Sequence, residues 1–145
     1  MRILIADSQV KVRHALCVLL GRQSGLKVVG QAADGKELLH RAEALRPDLV
    51  LLHWQLPGME ATELLDALRR ICPRAYVIVL SARPEARPAA AAAGADAFVS
   101  KVDPPEKLLA ALREAQAYSG SGDLRTLELC VGTGDGGVEP VYLKV

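Results

Sequence analysis

The sequence predicts an α/β domain, a parallel sheet covered by helices on both faces. Three observations carry that expectation. Five short apolar runs recur along the first 118 residues, none with the clean two-residue alternation of a strand that has one wet face. Between them lie segments whose apolar residues recur at three- and four-residue spacing. Gly, Pro, Asp or Ser stands at most junctions, where the chain must turn. Strands that alternate with helices are joined by right-handed crossovers, which makes the sheet parallel.

Each element has its own signals. Residues 2–6 (Arg-Ile-Leu-Ile-Ala) form the first buried strand. Ser8 is placed to cap the first helix, where Val12, Ala15, Leu16, Leu19 and Leu20 face inward and Gly21 supplies the stop. Leu26–Gly30 is the second strand. Asp34-Gly35 opens a helix carrying Leu38, Leu39, Ala42 and Leu45, which must end before Pro47. Asp48–His53 is the third strand, broken by Leu56-Pro57-Gly58. Leu64, Leu65, Leu68 and Ile71 mark a third helix, closed by Pro73. Ala75–Ser81 is the fourth strand, rich in β-branched residues. Residues 84–93 are alanine-rich and helical, with Pro84 and Pro88 tolerable only near a first turn. Gly94 ends that helix, Ala97–Ser100 is the fifth strand, and Pro105 to Tyr118 is a helix with Leu108, Leu109 and Leu112 inward.

Composition narrows the function classes. Eighteen Lys and Arg against seventeen Asp and Glu leave a net charge of +1, no footprint for nucleic acid or an anionic membrane. Cys17, Cys72 and Cys130 are odd in number and widely spaced, which argues against a disulfide framework and against a zinc site. The opening Met-Arg-Ile-Leu-Ile is a strand rather than a signal peptide, and no apolar run approaches a membrane span. A reduced, cytoplasmic domain is expected.

The chain divides into a domain over 1–118 and a linker and tail over 119–145. Ser-Gly-Ser-Gly is the link. In the tail, Thr126–Val131 alternates, Gly132–Gly137 is a turn, and Val138–Val145 is expected to return as an edge strand because of Pro140. The glycine run lacks the Gly-Lys-Ser/Thr ending of a phosphate loop, so a hairpin is the better reading.

A parallel sheet with helices on both faces places its working site beyond the carboxyl ends of the strands. The residues there are Asp7, Ser8, His53, Ser81 and Lys101. Together with Ile-Leu-Ile-Ala-Asp at 3–7, Ala-Asp-Gly at 33–35 and Arg-Pro-Asp-Leu-Val-Leu-Leu at 46–52, they carry a resemblance. Leu-Pro-Gly-Met at 56–59, Val-Leu-Ser-Ala at 79–82, Ala-Gly-Ala-Asp-Ala-Phe-Val-Ser-Lys at 93–101 and Pro-Pro-Glu at 104–106 complete it. Residues 2 to about 118 resemble the two-component response-regulator receiver (CheY-like) family.

That resemblance implies a flavodoxin-like (βα)5 fold with strand order 2-1-3-4-5, taking part in two-component signal transduction and phosphorelay. In the family an aspartate at the end of strand three takes a phosphoryl group from a kinase histidine. Acids after strand one help hold Mg²⁺, with a Ser or Thr after strand four and a Lys after strand five. Such transfer needs a carboxylate nucleophile, a hard cation on oxygen ligands, and fixed positive charge for the phosphoryl oxygens.

By this comparison Asp7 matches the first acid, Ser81 the hydroxyl, Lys101 the amine and Phe98 the switching aromatic. Ser8 stands at the second acid and His53 at the phospho-acceptor. The expectation is therefore a degenerate receiver, not an enzyme, with no cofactor and with Mg²⁺ binding weak or absent; Asp7 is a remnant. His53 is expected as a neutral side chain filling the vacated pocket, hydrogen-bonded to Asp7 or backbone, in preference to a phospho-accepting or pH-sensing imidazole. Asp7 and Lys101 are expected as an ion pair. Trp54 is expected to pack over the pocket, and His14 and His40 to be solvated.

The implied role is phosphorylation-independent contact with a protein partner, such as a sensor kinase or another regulator, or homodimerisation. The family's usual surface for this is residues 84–118 here. No helix-turn-helix follows, so no DNA-binding output is expected in this chain. Two alternatives stay open: an active phosphorelay receiver with a non-standard acceptor, and a small flavodoxin-like ligand-binding protein. Only five aromatic residues argue against a flavin site.

Overall fold

The computed structural model describes residues 1–120. The expected tail hairpin lies outside them. By packing, the chain divides into units Met1–Ala111 and Leu112–Val145. The first holds β1 (Arg2–Ala6), α1 (Val10–Gly21), β2 (Lys27–Ala32), α2 (Gly35–Leu45), β3 (Leu49–His53) and α3 (Ala61–Ile71). It continues with β4 (Tyr76–Ser81), a 3₁₀ turn (Pro84–Ala86), α4 (Arg87–Ala92) and β5 (Ala97–Ser100). The last helix, α5 (Pro105–Gly120), begins in the first unit and runs on into the second.

All four strand pairings are parallel, in the order β2-β1-β3-β4-β5. β3 lies at the centre, where Leu49, Val50, Leu51 and Leu52 are completely buried. Burial on both faces explains why this run has no alternation. One face of the sheet presents Leu4, Val50, Leu52, Val77 and Val79 to Leu38 and Ala42 of α2 and Leu64, Leu65 and Leu68 of α3. Each such leucine contributes about 1.5–3 kcal/mol by leaving water. Among the described residues no helix is long and apolar enough to cross a membrane.

Several local expectations are corrected. β2 runs on to Ala32 and is half-exposed, because it is one of the sheet's two edge strands. Ser8 does not cap α1. Gln9 holds the cap position without a side-chain bond, and Asp7 Oδ1 accepts the Gln9 N–H at 2.9 Å instead. Gly21 is the last helical residue and Arg22 the C-cap. Ala15 is exposed, so the inward face of α1 narrows to Val12, Leu16, Leu19 and Leu20. The two prolines split the expected fourth helix into the 3₁₀ turn and a six-residue α4.

α2 is fixed at both ends. Asp34 Oδ1 accepts the Glu37 N–H, and Glu37 reaches back to the Ala33 N–H, both at 2.8 Å. At the other end Arg46 takes a left-handed conformation (φ 48°) immediately before Pro47. Gly35 also ties two loops together, its N–H donating to the Pro57 carbonyl at 3.2 Å. A Cβ there would lie 2.9 Å from Met59 Cβ. Gly35→Ala is therefore expected to destabilise by about 1–3 kcal/mol in urea titration, despite alanine's better helix propensity. An unchanged or raised midpoint would mean that the Met59 turn yields freely.

Candidate functional site

The parallel register brings the ends of β1, β3, β4 and β5 to one edge of the sheet. Backbone bonds continue past the strands there: Asp7 N–H to the Ala32 carbonyl at 3.0 Å, Trp54 N–H to Leu80 at 2.9 Å, and Lys101 N–H to Ser81 at 2.8 Å. These bonds fix Asp7, His53, Ser81 and Lys101 relative to one another before any side-chain contact is counted.

Asp7 is buried, at 1% exposure. An isolated carboxylate there would be costly, and it is compensated twice. Oδ1 accepts the Gln9 N–H, and Oδ2 accepts from the Lys101 ammonium at 2.6 Å. The Asp7 carbonyl takes a further bond at 2.6 Å from the Arg13 guanidinium, which also reaches Gln31. Sequence reasoning passed over Arg13, because no local pattern shows a long side chain crossing back to the strand end.

His53 stands over the same carboxylate without bonding it. Its Nδ1 lies 3.8 Å from Asp7 Oδ2, beyond hydrogen-bond reach, and is a buried nitrogen with no partner. Of the two expected partners, Asp7 or backbone, the carboxylate is therefore not bonded by Nδ1, and the Leu80 backbone is the group that interacts with the imidazole. Burial pushes the imidazole below its ordinary value of 6.5, and the neighbouring Lys101 charge adds to this. Asp7 and the Leu80 backbone act the other way.

A pH dependence follows. His53 binds its proton more weakly folded than unfolded, so this group's stability contribution is complete above about pH 6.5. It is lost as pH falls from there towards the lowered folded value. Urea midpoints measured from pH 8 downwards are expected to decline in that window, and His53→Gln should remove that part of the decline. An identical decline in the variant would place its origin elsewhere.

The remaining expected residues are only partly gathered. Ser81 is buried, and its Oγ accepts the Arg83 N–H at 3.1 Å, which braces the turn after β4. Ser8 is exposed and makes no cap. Phe98 is half-buried against the core, with the Arg87 guanidinium 4.7 Å above its ring. Arg87 was not legible as a partner from its place between alanines and prolines. Trp54 packs against the core, whereas His14 and His40 are exposed. Clefts of about 300 and 560 Å³ flank β2, and their lining shares no residue with the strand-end group.

The donor set does not suit a hard divalent cation. Mg²⁺ seeks octahedral oxygen ligands. Here the one buried carboxylate among the described residues has both oxygens engaged, His53 offers a nitrogen, and Ser8 is exposed. Among the described residues no three His, Cys, Asp or Glu side chains are grouped to hold a metal ion.

Comparison with known proteins decides the family. The response regulator receiver domain family matches residues 3–113. The chain belongs to that family. The nitrate/nitrite response regulator protein NarL of Escherichia coli (strain K12) is 37% identical to this receiver over 117 residues, covering 79% of this chain and 54% of NarL. The response regulator protein VraR of Staphylococcus aureus is 29% identical over 115 residues, covering 78% and 55%. The chain thus spans about half the length of the curated relatives it matches.

Solved structures agree on the architecture. A LuxR-family two-component response regulator from Aurantimonas sp. SI85-9A1 superposes with a TM-score of 0.75 at 28% identity, covering 80% of this chain and 84% of that one. A CheY-like receiver domain protein from Methanospirillum hungatei JF-1 gives 0.72 at 29%, covering 83% and 97%. The flavodoxin-like fold and strand order 2-1-3-4-5 are those of a receiver.

Proposed function

We propose that this receiver signals by phosphorylation-independent protein–protein contact in the cytoplasm, with a sensor kinase, another regulator or a second copy of itself as partner. One observation carries the reading. The position that should offer a nucleophilic carboxylate holds His53, and the one buried carboxylate beside it is already bonded to Lys101. Phosphoryl transfer depends on positioned charge around the transferring group more than on any single residue. With the cation ligands missing and the amine engaged, little of that organisation remains. In a longer LuxR-type regulator, such a receiver would act through the surfaces it presents rather than through a transient acyl phosphate.

The test is direct. Incubation with acetyl phosphate and Mg²⁺, followed by intact-mass measurement, should leave the protein unmodified. Mg²⁺-dependent phosphoryl labelling, at His53 or elsewhere, would overturn the reading in favour of a working phosphorelay component.

A further inference from the structure

The Asp7–Lys101 contact joins residues 94 apart in sequence. Asp7 follows β1 and Lys101 follows β5, and both β3 and β4 lie between those strands in the sheet. The lysine therefore reaches across the ends of two strands to a carboxylate that solvent does not reach. Its own backbone is braced first. Lys101 N–H is bonded to Ser81, Ser100 N–H to Asp103 Oδ2 at 3.2 Å, and Val102 N–H to Ser100 Oγ at 3.3 Å. The ammonium is delivered from a turn that already has its shape.

We infer that Lys101 is the resident cation of this pocket: it compensates Asp7 permanently, closes that carboxylate to divalent ions, and ties the turn after β5 to the end of β1 with no ligand present. The inference rests on the phosphate-independent reading, since a phosphoryl group would compete for the same ammonium, but it can fail separately.

Charge counting supports it. Asp7 and Lys101 cancel, and a neutral His53 adds nothing, so the pocket is balanced as it stands. A divalent ion entering beside Lys101 would leave a surplus of two positive charges around one carboxylate. To avoid that, it must evict an ammonium seated at 2.6 Å. Eviction frees only Oδ2, because Oδ1 stays with the Gln9 N–H. A single oxygen is a poor exchange for a strongly hydrated ion that gives up its waters reluctantly. The missing acids weaken the site, and Lys101 occupies what is left.

The experiment uses Mn²⁺ as a paramagnetic probe, read by amide line broadening on the full chain. In the wild-type protein the Asp7, Gln9 and His53 amides should not broaden selectively. In Lys101→Met, which keeps the stem and removes the charge, they should broaden saturably, with affinity tighter by about tenfold or more. Equal broadening in both proteins, or none in either, would overturn the inference. Should the variant fail to fold, the wild-type protein decides alone. Its Lys101 ammonium ¹⁵N signal should persist, still coupled to Asp7, in excess Mg²⁺; its loss would overturn the inference. Mn²⁺ bound at Asp7 in wild-type protein that acetyl phosphate does not label would defeat this inference alone. Labelling would defeat the functional reading.

Discussion

Ser8→Asp combined with His53→Asp is expected to convert this receiver into one that takes phosphate from acetyl phosphate in the presence of Mg²⁺. His53→Asp alone supplies the nucleophile but leaves two carboxylates sharing one ammonium, and it should label weakly. The second aspartate changes the balance. Three carboxylates then converge on the end of β1 and β3, more negative charge than Lys101 can cancel, so a divalent ion gains a site. Ser81 and Lys101 already stand at the ends of β4 and β5, and on the proposed reading they would supply a hydroxyl and a cation to the phosphoryl oxygens. Because preorganised charge supplies most of the acceleration, labelling by the double variant should exceed that of the single by about tenfold or more. Without metal the added charge should destabilise the double variant, and its Tm should rise with Mg²⁺. A double variant that binds no Mg²⁺ would mean that the pocket has departed from its relatives in shape as well as in ligands.

Lys101→Met is expected to cost about 3 kcal/mol in urea denaturation, because removing one partner of a buried pair strands the other charge. Asp7 is the stranded group, at 1% exposure, whereas the Lys101 side chain keeps 23%. That asymmetry makes a sharper expectation. Asp7→Asn should cost less, since the freed ammonium can turn to water and Asn Oδ1 can still accept the Gln9 N–H. Joining the two should recover much of the loss seen in Lys101→Met, because no charge is then left unpaired. Strict additivity of the two single losses would show that the pair contributes no coupling and that Lys101 acts by packing alone.

Much of this architecture was legible in the sequence, for a physical reason. Strands buried on both faces must be apolar throughout, so Leu49–Leu52 and Val77–Leu80 announce themselves. Pro47, Asp34 and Gly94 act within a residue or two of themselves, and their junctions fall where they are expected. Local competition was harder to see. Ser8 is a good cap by type, yet the helix begins one residue later, with Gln9 at the cap position and its N–H held by Asp7. β2 extends past Gly30 because an edge strand tolerates Gln31 facing outward. Contacts made by long side chains across elements were not legible at all. Arg13 on the Asp7 carbonyl and Arg87 over Phe98 depend on how separate elements meet. The same limit applies inside the pocket: type and position identified His53, but not that its Nδ1 would be left without a partner.

On the proposed reading, the strand-end pocket does not respond to phosphate. Beryllofluoride, which mimics an acyl phosphate when Mg²⁺ is present, probes this through amide chemical shifts. Asp7, His53, Ser81 and Lys101 are expected to keep their positions in the spectrum throughout the titration. Saturable, Mg²⁺-dependent shifts at those four residues would contradict it.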